Sequence, residues 1–138
     1  MTKRLFSFLG LTVLLILMTG VLTASAPAPV TTFTLVSGLP ETMQVGESYT
    51  VVVQVDSDQP FIFAAALPDV YFPGRGVVAV QGGDHAPGGT SALLEVTFMA
   101  KSSTAKFGGA VPVAVVAGAR YQGGVTMSQR FDFMVNVP

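Results

Sequence analysis

The chain has 138 residues, half of them apolar and only 11% charged, with a net charge of −1. That balance suits one domain with a modest core and excludes a disordered chain and the clustered Lys and Arg of a nucleic-acid surface. No cysteine is present, which removes disulfides, zinc–thiolate sites and thiol nucleophiles together.

At the N-terminus Lys3 and Arg4 precede the uncharged run 5–24, LFSFLGLTVLLILMTGVLTA, whose last residue opens the small triplet Ala24-Ser25-Ala26. A basic start, an apolar core and small residues make an export signal. Cleavage after Ala24 or Ser25 avoids leaving Pro27 directly after the cut. The same run is long enough to cross roughly 30 Å of hydrocarbon as a helix, with its basic end held in the cytoplasm. Residues 1–26 are therefore a signal peptide or an uncleaved membrane anchor. Both readings put the remainder outside the cytoplasm, as an exported domain that is membrane-anchored if uncleaved and secreted or periplasmic if cleaved. No cysteine follows the run, so a lipoprotein anchor is excluded. Residues 27–31 are a short Pro/Ala linker, extended in character.

From Thr32 onward apolar and polar residues alternate with period two, broken by turn signals about every ten residues. Tyr49–Asp56 sets Tyr49, Val51, Val53 and Val55 against Thr50, Gln54 and Asp56. Ala92–Ala100 sets Leu94, Val96 and Phe98 against Glu95 and Thr97. The closing strand sets Phe131, Phe133, Val135 and Val137 against Arg130, Asp132, Met134 and Asn136. Further strands are expected at Phe33–Val36, Phe61–Leu67, Val77–Gln81 and Val111–Tyr121. The expected fold is all-β, a single antiparallel β-sandwich of about seven strands over residues 32–138, preceded by an N-terminal hydrophobic helix.

The run 39–56, LPETMQVGESYTVVVQVD, resembles the start of bacterial extracytoplasmic immunoglobulin-like domains, relatives of the fibronectin-III type. The ending, VPVAVVAGARYQGG followed by RFDFMVNV, is similar to the hairpin that closes such domains. The resemblance covers most of residues 32–138 and implies an immunoglobulin-like fold in an extracytoplasmic setting. The Cys…Trp…Cys core of antibody domains is missing, and the resemblance implies no activity.

Few residues point to chemistry. His85, the one histidine, lies with Asp84 in QGGDHAPGGT (81–90), where four glycines and a proline read as a turn. A metal site needs several converging ligands, and neighbouring side chains usually point apart, so Asp84 and His85 are weak metal candidates. Copper is the ion that histidine with Met43, Met99, Met127 and Met134 would suit, although methionines more often fill cores. Asp56-Ser57-Asp58 reads as a turn before Pro60 rather than a calcium site. Pro73-Gly-Arg-Gly76 is a turn with an exposed arginine, and Lys101–Lys106 a solvated connection. No nucleophile elbow, phosphate loop or catalytic triad is discernible. No enzyme and no cofactor are expected.

Apolar residues on both faces of 61–67 and 113–117 suggest a partner surface. Its expected members are Ile62, Ala64, Ala114, Val116 and Met134, flanked by Arg120 and Arg130. The expected function is that of a non-enzymatic exported module acting through contacts with an extracytoplasmic or membrane protein, as an anchored accessory subunit of a membrane complex. The alternative is a periplasmic small-ligand or copper-binding carrier using His85. A carbohydrate-binding module is a third reading, with Tyr49, Tyr71 and Tyr121 as stacking residues in a chain without tryptophan.

Overall fold

A computed structural model of the chain describes residues 26–138. The expected N-terminal helix and the signal or anchor segment lie, up to residue 25, outside the described residues. Among the described residues no helix is long and apolar enough to cross a membrane.

The described chain is an all-β, sandwich-like fold. Its strands are β1 (Thr31–Ser37), β2 (Ser48–Asp69), β3 (Val78–Val80), β4 (Asp84–Ala100), β5 (Val111–Arg120) and β6 (Thr126–Val135), with a single helical turn α1 (Gly74–Val77) before β3 and a 3-10 turn at Ala105–Phe107. Every pairing between them is antiparallel. Hydrogen bonding links them in the order β3-β4-β2-β5-β6, with β1 also on β2.

One hydrogen-bonded sheet makes two layers because β2 and β4 change neighbours halfway along. The first half of β2 lies between β1, with Phe33 opposite Val55, and the second half of β4, with Val51 opposite Val96. Its second half lies between the first half of β4, with Ala65 opposite His85, and β5, with Phe63 opposite Arg120. The register slips between Asp56 and Phe61. Pro60 has no N–H for the ladder there. On β4, Gly88 and Gly89 take φ of 44° and 126°, a region that side chains disfavour. The paired ribbon therefore bulges and turns at this point. The open side is closed by a parallel bridge between Thr42 and Asn136, where Met43 N–H donates to Asn136 O at 2.9 Å.

Alternation then fills the core from both layers. Val51, Val53 and Val55 of β2 and Leu94, Val96 and Phe98 of β4 are buried against Val111, Val113, Val115 and Ala117 of β5. The inward sets expected for the first half of β2, the second half of β4 and β6 all point to the core. Tyr121, at the end of β5, is buried beneath the bend. Its hydroxyl donates to Ser57 Oγ at 2.7 Å and, having spent its one hydrogen there, accepts from Thr31 Oγ1 at 2.6 Å. Its ring meets Phe61 edge-on, with centroids 6.5 Å apart. One side chain thus ties β1, the β2 bend and β5.

Several expectations are corrected. The segments Tyr49–Asp56 and Phe61–Leu67 are one continuous strand, so six strands stand where about seven were expected. Only Gln81–Gly83 of QGGDHAPGGT connects two strands, with Gly82 at φ 103°. From Asp84 the segment pairs with β2, because the bend brings a second stretch of β2 into reach. Asp56-Ser57-Asp58 lies inside β2 at its bulge. Pro73–Gly76 runs into α1. In the connection 101–106 Thr104 is buried, and its hydroxyl bonds Asn136 Oδ1 at 2.8 Å and the backbone of Val137.

Replacing Tyr121 by Phe removes two hydrogen bonds at the bend while keeping the packed ring. Urea denaturation is expected to show a loss of about 1–3 kcal/mol, against about 3–5 kcal/mol for Phe98→Ala in the core centre. An unchanged Tyr121→Phe midpoint would remove the hydroxyl from the account of the bend.

Candidate interaction surface

Asp84 and His85 do not converge. Strand alternation turns His85 outward, where its ring stacks on Phe63 at 5.8 Å and an interplanar angle of 26°. Asp84 is half-buried; its Oδ1 accepts the His85 N–H at 2.8 Å and its Oδ2 the Glu95 N–H at 2.9 Å. The carboxylate thus holds the start of β4 against its own second half. Among the described residues no group of three or more His, Asp or Glu side chains is placed to share an ion. Asp56 and Asp58 likewise diverge. Asp56 Oδ1 accepts from Ser91 Oγ at 2.9 Å, while Asp58 Oδ1 accepts from Val30 N–H at 2.8 Å.

The expected patch is only partly exposed. Ile62 and Met134 are open to solvent and Val116 is half-buried, but Ala64 and Ala114 are covered and cannot contribute to an outer face. For Ala64 the reason is phase. Phe61 is buried against Tyr121, then Ile62 and Phe63 are both exposed as the strand leaves its bulge, and Ala64 and Ala66 are buried. The alternation shifts by one residue, which exchanges the two faces of everything downstream. For Ala114 the face was read correctly, but its small side chain lies between Asp69 and Asp132 of the neighbouring strands, which stand above it.

The face that results has three cross-strand rows: Phe63, Arg120 and Thr126; Ala65, Gly118 and Ser128; Leu67, Val116 and Arg130. The first two rows and the two apolar residues of the third line a shallow trough of about 340 Å³. Gly118 keeps its middle low. A Cβ there would stand 3.3 Å from Met127 O. The walls are apolar, with Leu67 58% and Phe63 43% exposed. Below the trough, Arg130 binds Asp69 and, at 2.8 Å, Asp132. The hydrogen bonds it donates to Asp132 first and Asp69 second raise its pKa above the usual arginine value. Arg120, above the trough, has no ion-pair partner among the described residues.

Sequence reasoning missed Phe63 and Leu67 through the phase shift; the signal was Pro60 and the unalternating stretch before it, across which a phase cannot be carried. Among the tyrosines proposed for sugar stacking, Tyr121 is buried, Tyr49 half-buried and Tyr71 exposed.

No protein-family model matches the chain, and no curated protein matches it. Among solved structures the chain is similar in part to the native conformation of E. coli alpha-2-macroglobulin, at 11% identity and a TM-score of 0.46, over 81% of this chain and 7% of that one. It is also similar to AvmM, described as catalysing macrocyclization in alchivemycin A biosynthesis, at 12% identity and a TM-score of 0.45, over 80% of this chain and 89% of that one. The strand pairing itself defines the fold.

Asp84 and His85 are separable by substitution. Asp84→Ala is expected to lower stability by about 1–2 kcal/mol, since two backbone N–H groups lose their acceptor. His85→Ala should stay within about 0.5 kcal/mol, as for an exposed side chain. Thermal unfolding monitored by circular dichroism measures both.

Proposed function

We propose that the chain is an exported, non-enzymatic immunoglobulin-like module that works by protein contact through the trough-bearing face of its β4-β2-β5-β6 layer. Export is supported by the uncharged run 5–24 behind Lys3 and Arg4. The immunoglobulin-like reading is supported by topology. The layer β1-β2-β4-β3 has the A-B-E-D order of that fold, and the second half of β2 with β5 and β6 has the C-F-G order. The parallel Thr42–Asn136 bridge joins the segment between β1 and β2 to the residue that follows β6. Here the B and C positions are one unbroken strand, and the first half of β4 is added beside C.

The observation that carries the contact reading is Leu67 and Phe63, well exposed on a four-stranded layer whose opposite side is packed into the core. Large apolar side chains grouped on a rigid face, with a polar rim of Thr126, Ser128 and Arg120, have the make-up of a protein-contact patch. In the anchored form, residues 5–24 would keep this face concentrated at the membrane surface, as an accessory subunit requires. The carrier alternative has less to build on. Asp84 and His85 lie on opposite sides of β4, Met43 is fully buried, and Met99 and Met127 are half-buried.

The test is purification of the full chain from its native membrane fraction, with intact mass and companions determined. Wild-type protein is expected to bring down a stoichiometric companion that Leu67→Glu loses without a change in melting temperature. No companion, or one that Leu67→Glu retains, would overturn the reading. Copper titration separates the alternative: the contact module predicts identical heats for wild type and His85→Ala, whereas a carrier predicts a bound ion lost on substitution.

A further inference from the structure

A second surface, unrelated to the trough, lies at the end of the sandwich where β2 begins. It is built from two connections that pack together. Tyr71 and Phe72 follow β2 and are 71% and 78% exposed, the highest values among the large apolar side chains of the described residues. Arg75 N–H donates to Tyr71 O at 3.0 Å, which folds Arg75 back beside the aromatic pair. From the second connection Phe107 meets Phe72 edge-on at 5.3 Å, and Lys106 Nζ stands 5.0 Å from the Phe107 ring. Lys101 N–H donates to Val77 O at 2.8 Å, joining the end of β4 to α1. Residues 26–138 carry five cationic and eight acidic side chains, and Arg75, Lys101 and Lys106 account for three of the five. None of these three has an ion-pair partner among the described residues. Glu47, whose backbone bonds Ala100, has its carboxylate turned onto Gln44 N–H at 2.8 Å and the Tyr49 hydroxyl at 3.4 Å.

We infer that this tip docks on an anionic lipid surface. Tyr71 and Phe72 would sit at the boundary of headgroups and acyl chains, and Arg75, Lys101 and Lys106 on the lipid phosphates. The observations favour a bilayer over a protein or a polymer for two reasons. The aromatic rings protrude from the end of the domain rather than line a cleft, so a flat, deformable apolar phase can cover them where a protein would need a matching pocket. Aromatic rings with basic neighbours are also the side chains that settle at a membrane interface, where each cation adds attraction to anionic headgroups. With Glu47 counted at the tip, the other described residues carry seven carboxylates against Arg120 and Arg130, so an anionic bilayer attracts the tip and repels the rest, which selects end-on docking.

The tip faces away from where the chain enters the domain. Val30 N–H is fixed to Asp58, and Pro27 O accepts from Gln59 Nε2 at 3.0 Å, both at the bend of β2. The first half of β2, from Ser48 to Asp56, separates the two ends by roughly 30 Å at about 3.3 Å per residue. In the cleaved form the tip meets the nearest anionic bilayer; in the anchored form it meets a surface opposite the one that holds residues 5–24.

The experiment uses the chain beginning at Ala26, the form left by cleavage after Ser25. It contains the whole core, and no buried side-chain polar atom among the described residues lacks a hydrogen-bond partner. Since there is no tryptophan, Phe72→Trp supplies a single fluorescent reporter. Its emission is expected to shift to the blue with phosphatidylcholine–phosphatidylglycerol vesicles, and not with phosphatidylcholine alone. Co-sedimentation with the mixed vesicles should fall about fivefold for Lys106→Ala, from the loss of one headgroup attraction, at least as far for Phe72→Ala, and steeply with added salt. These residues are exposed, so circular dichroism should show unchanged folding. Absence of a blue shift, equal binding to both vesicle types, or binding that Phe72→Ala leaves intact would overturn the proposal. Binding to a soluble polyanion with no binding to vesicles would overturn it too, in favour of an acidic polymer. Leu67→Glu should leave vesicle binding unchanged, so the tip and the trough fail or stand separately.

Discussion

The sharing of β2 and β4 between both layers is the constraint from which the rest follows. A sandwich made of separate sheets is held together by its core and its loops. Here the backbone ladder itself runs from one layer into the other, through the bulge between Asp56 and Phe61. Pro60, the positive-φ pair Gly88 and Gly89, and the Tyr121 hydroxyl fix where that passage occurs. A chain with no cysteine gains from this arrangement. Side chains from both halves of both long strands enter one cluster with β5 and β6, so neither layer can loosen without exposing the other. Short valines and alanines suffice, because close packing compensates for small individual areas.

The same frame decides which surfaces are available. On the β4-β2-β5-β6 layer the inward positions are taken by core residues, and the outward rows are left with Phe63, Leu67 and Val116 around Gly118. At one end of that face the charge is already matched, with Arg130 held between Asp69 and Asp132. The cations that remain unmatched among the described residues are Arg120 beside the trough and Arg75, Lys101 and Lys106 at the tip. In a chain with so few charges, these positions are the ones at which an electrostatic partner has something to recognise. The tip and the trough are carried by different strands of one rigid frame, and their roles are accordingly independent.

Much of the frame was legible in the sequence wherever alternation ran unbroken. The inward sets of Val51–Val55, Leu94–Phe98 and Phe131–Val137 follow from period two alone, because each such strand has one core face and one wetter face. The bend was not legible. Asp56–Pro60 reads locally as a turn, and only the long-range pairing of both halves of β2 with both halves of β4 makes it a bulge inside a strand. From that one feature came the wrong face for Ala64, the missed Phe63 and Leu67, and the reading of Asp84–Thr90 as part of a loop. A glycine-rich stretch with a proline can still pair when a neighbouring strand is delivered to it. Ala114 shows a different limit: its face was correct, but a small side chain between Asp69 and Asp132 is covered by them. The exposure of Tyr71 and Phe72 could not be read either, since adjacent aromatics beside a turn are as often tucked under a strand as left open.

Native-state hydrogen exchange in low denaturant addresses the shared ribbon most directly. If β2 and β4 bind the layers into one unit, the slowest amides of the first half of β2 and those of β5 will open with the same free energy and the same denaturant dependence. A layer that opens at lower free energy and with a smaller dependence, while the other stays protected, would contradict the account. It would mean that the bend is a hinge between two separately stable sheets.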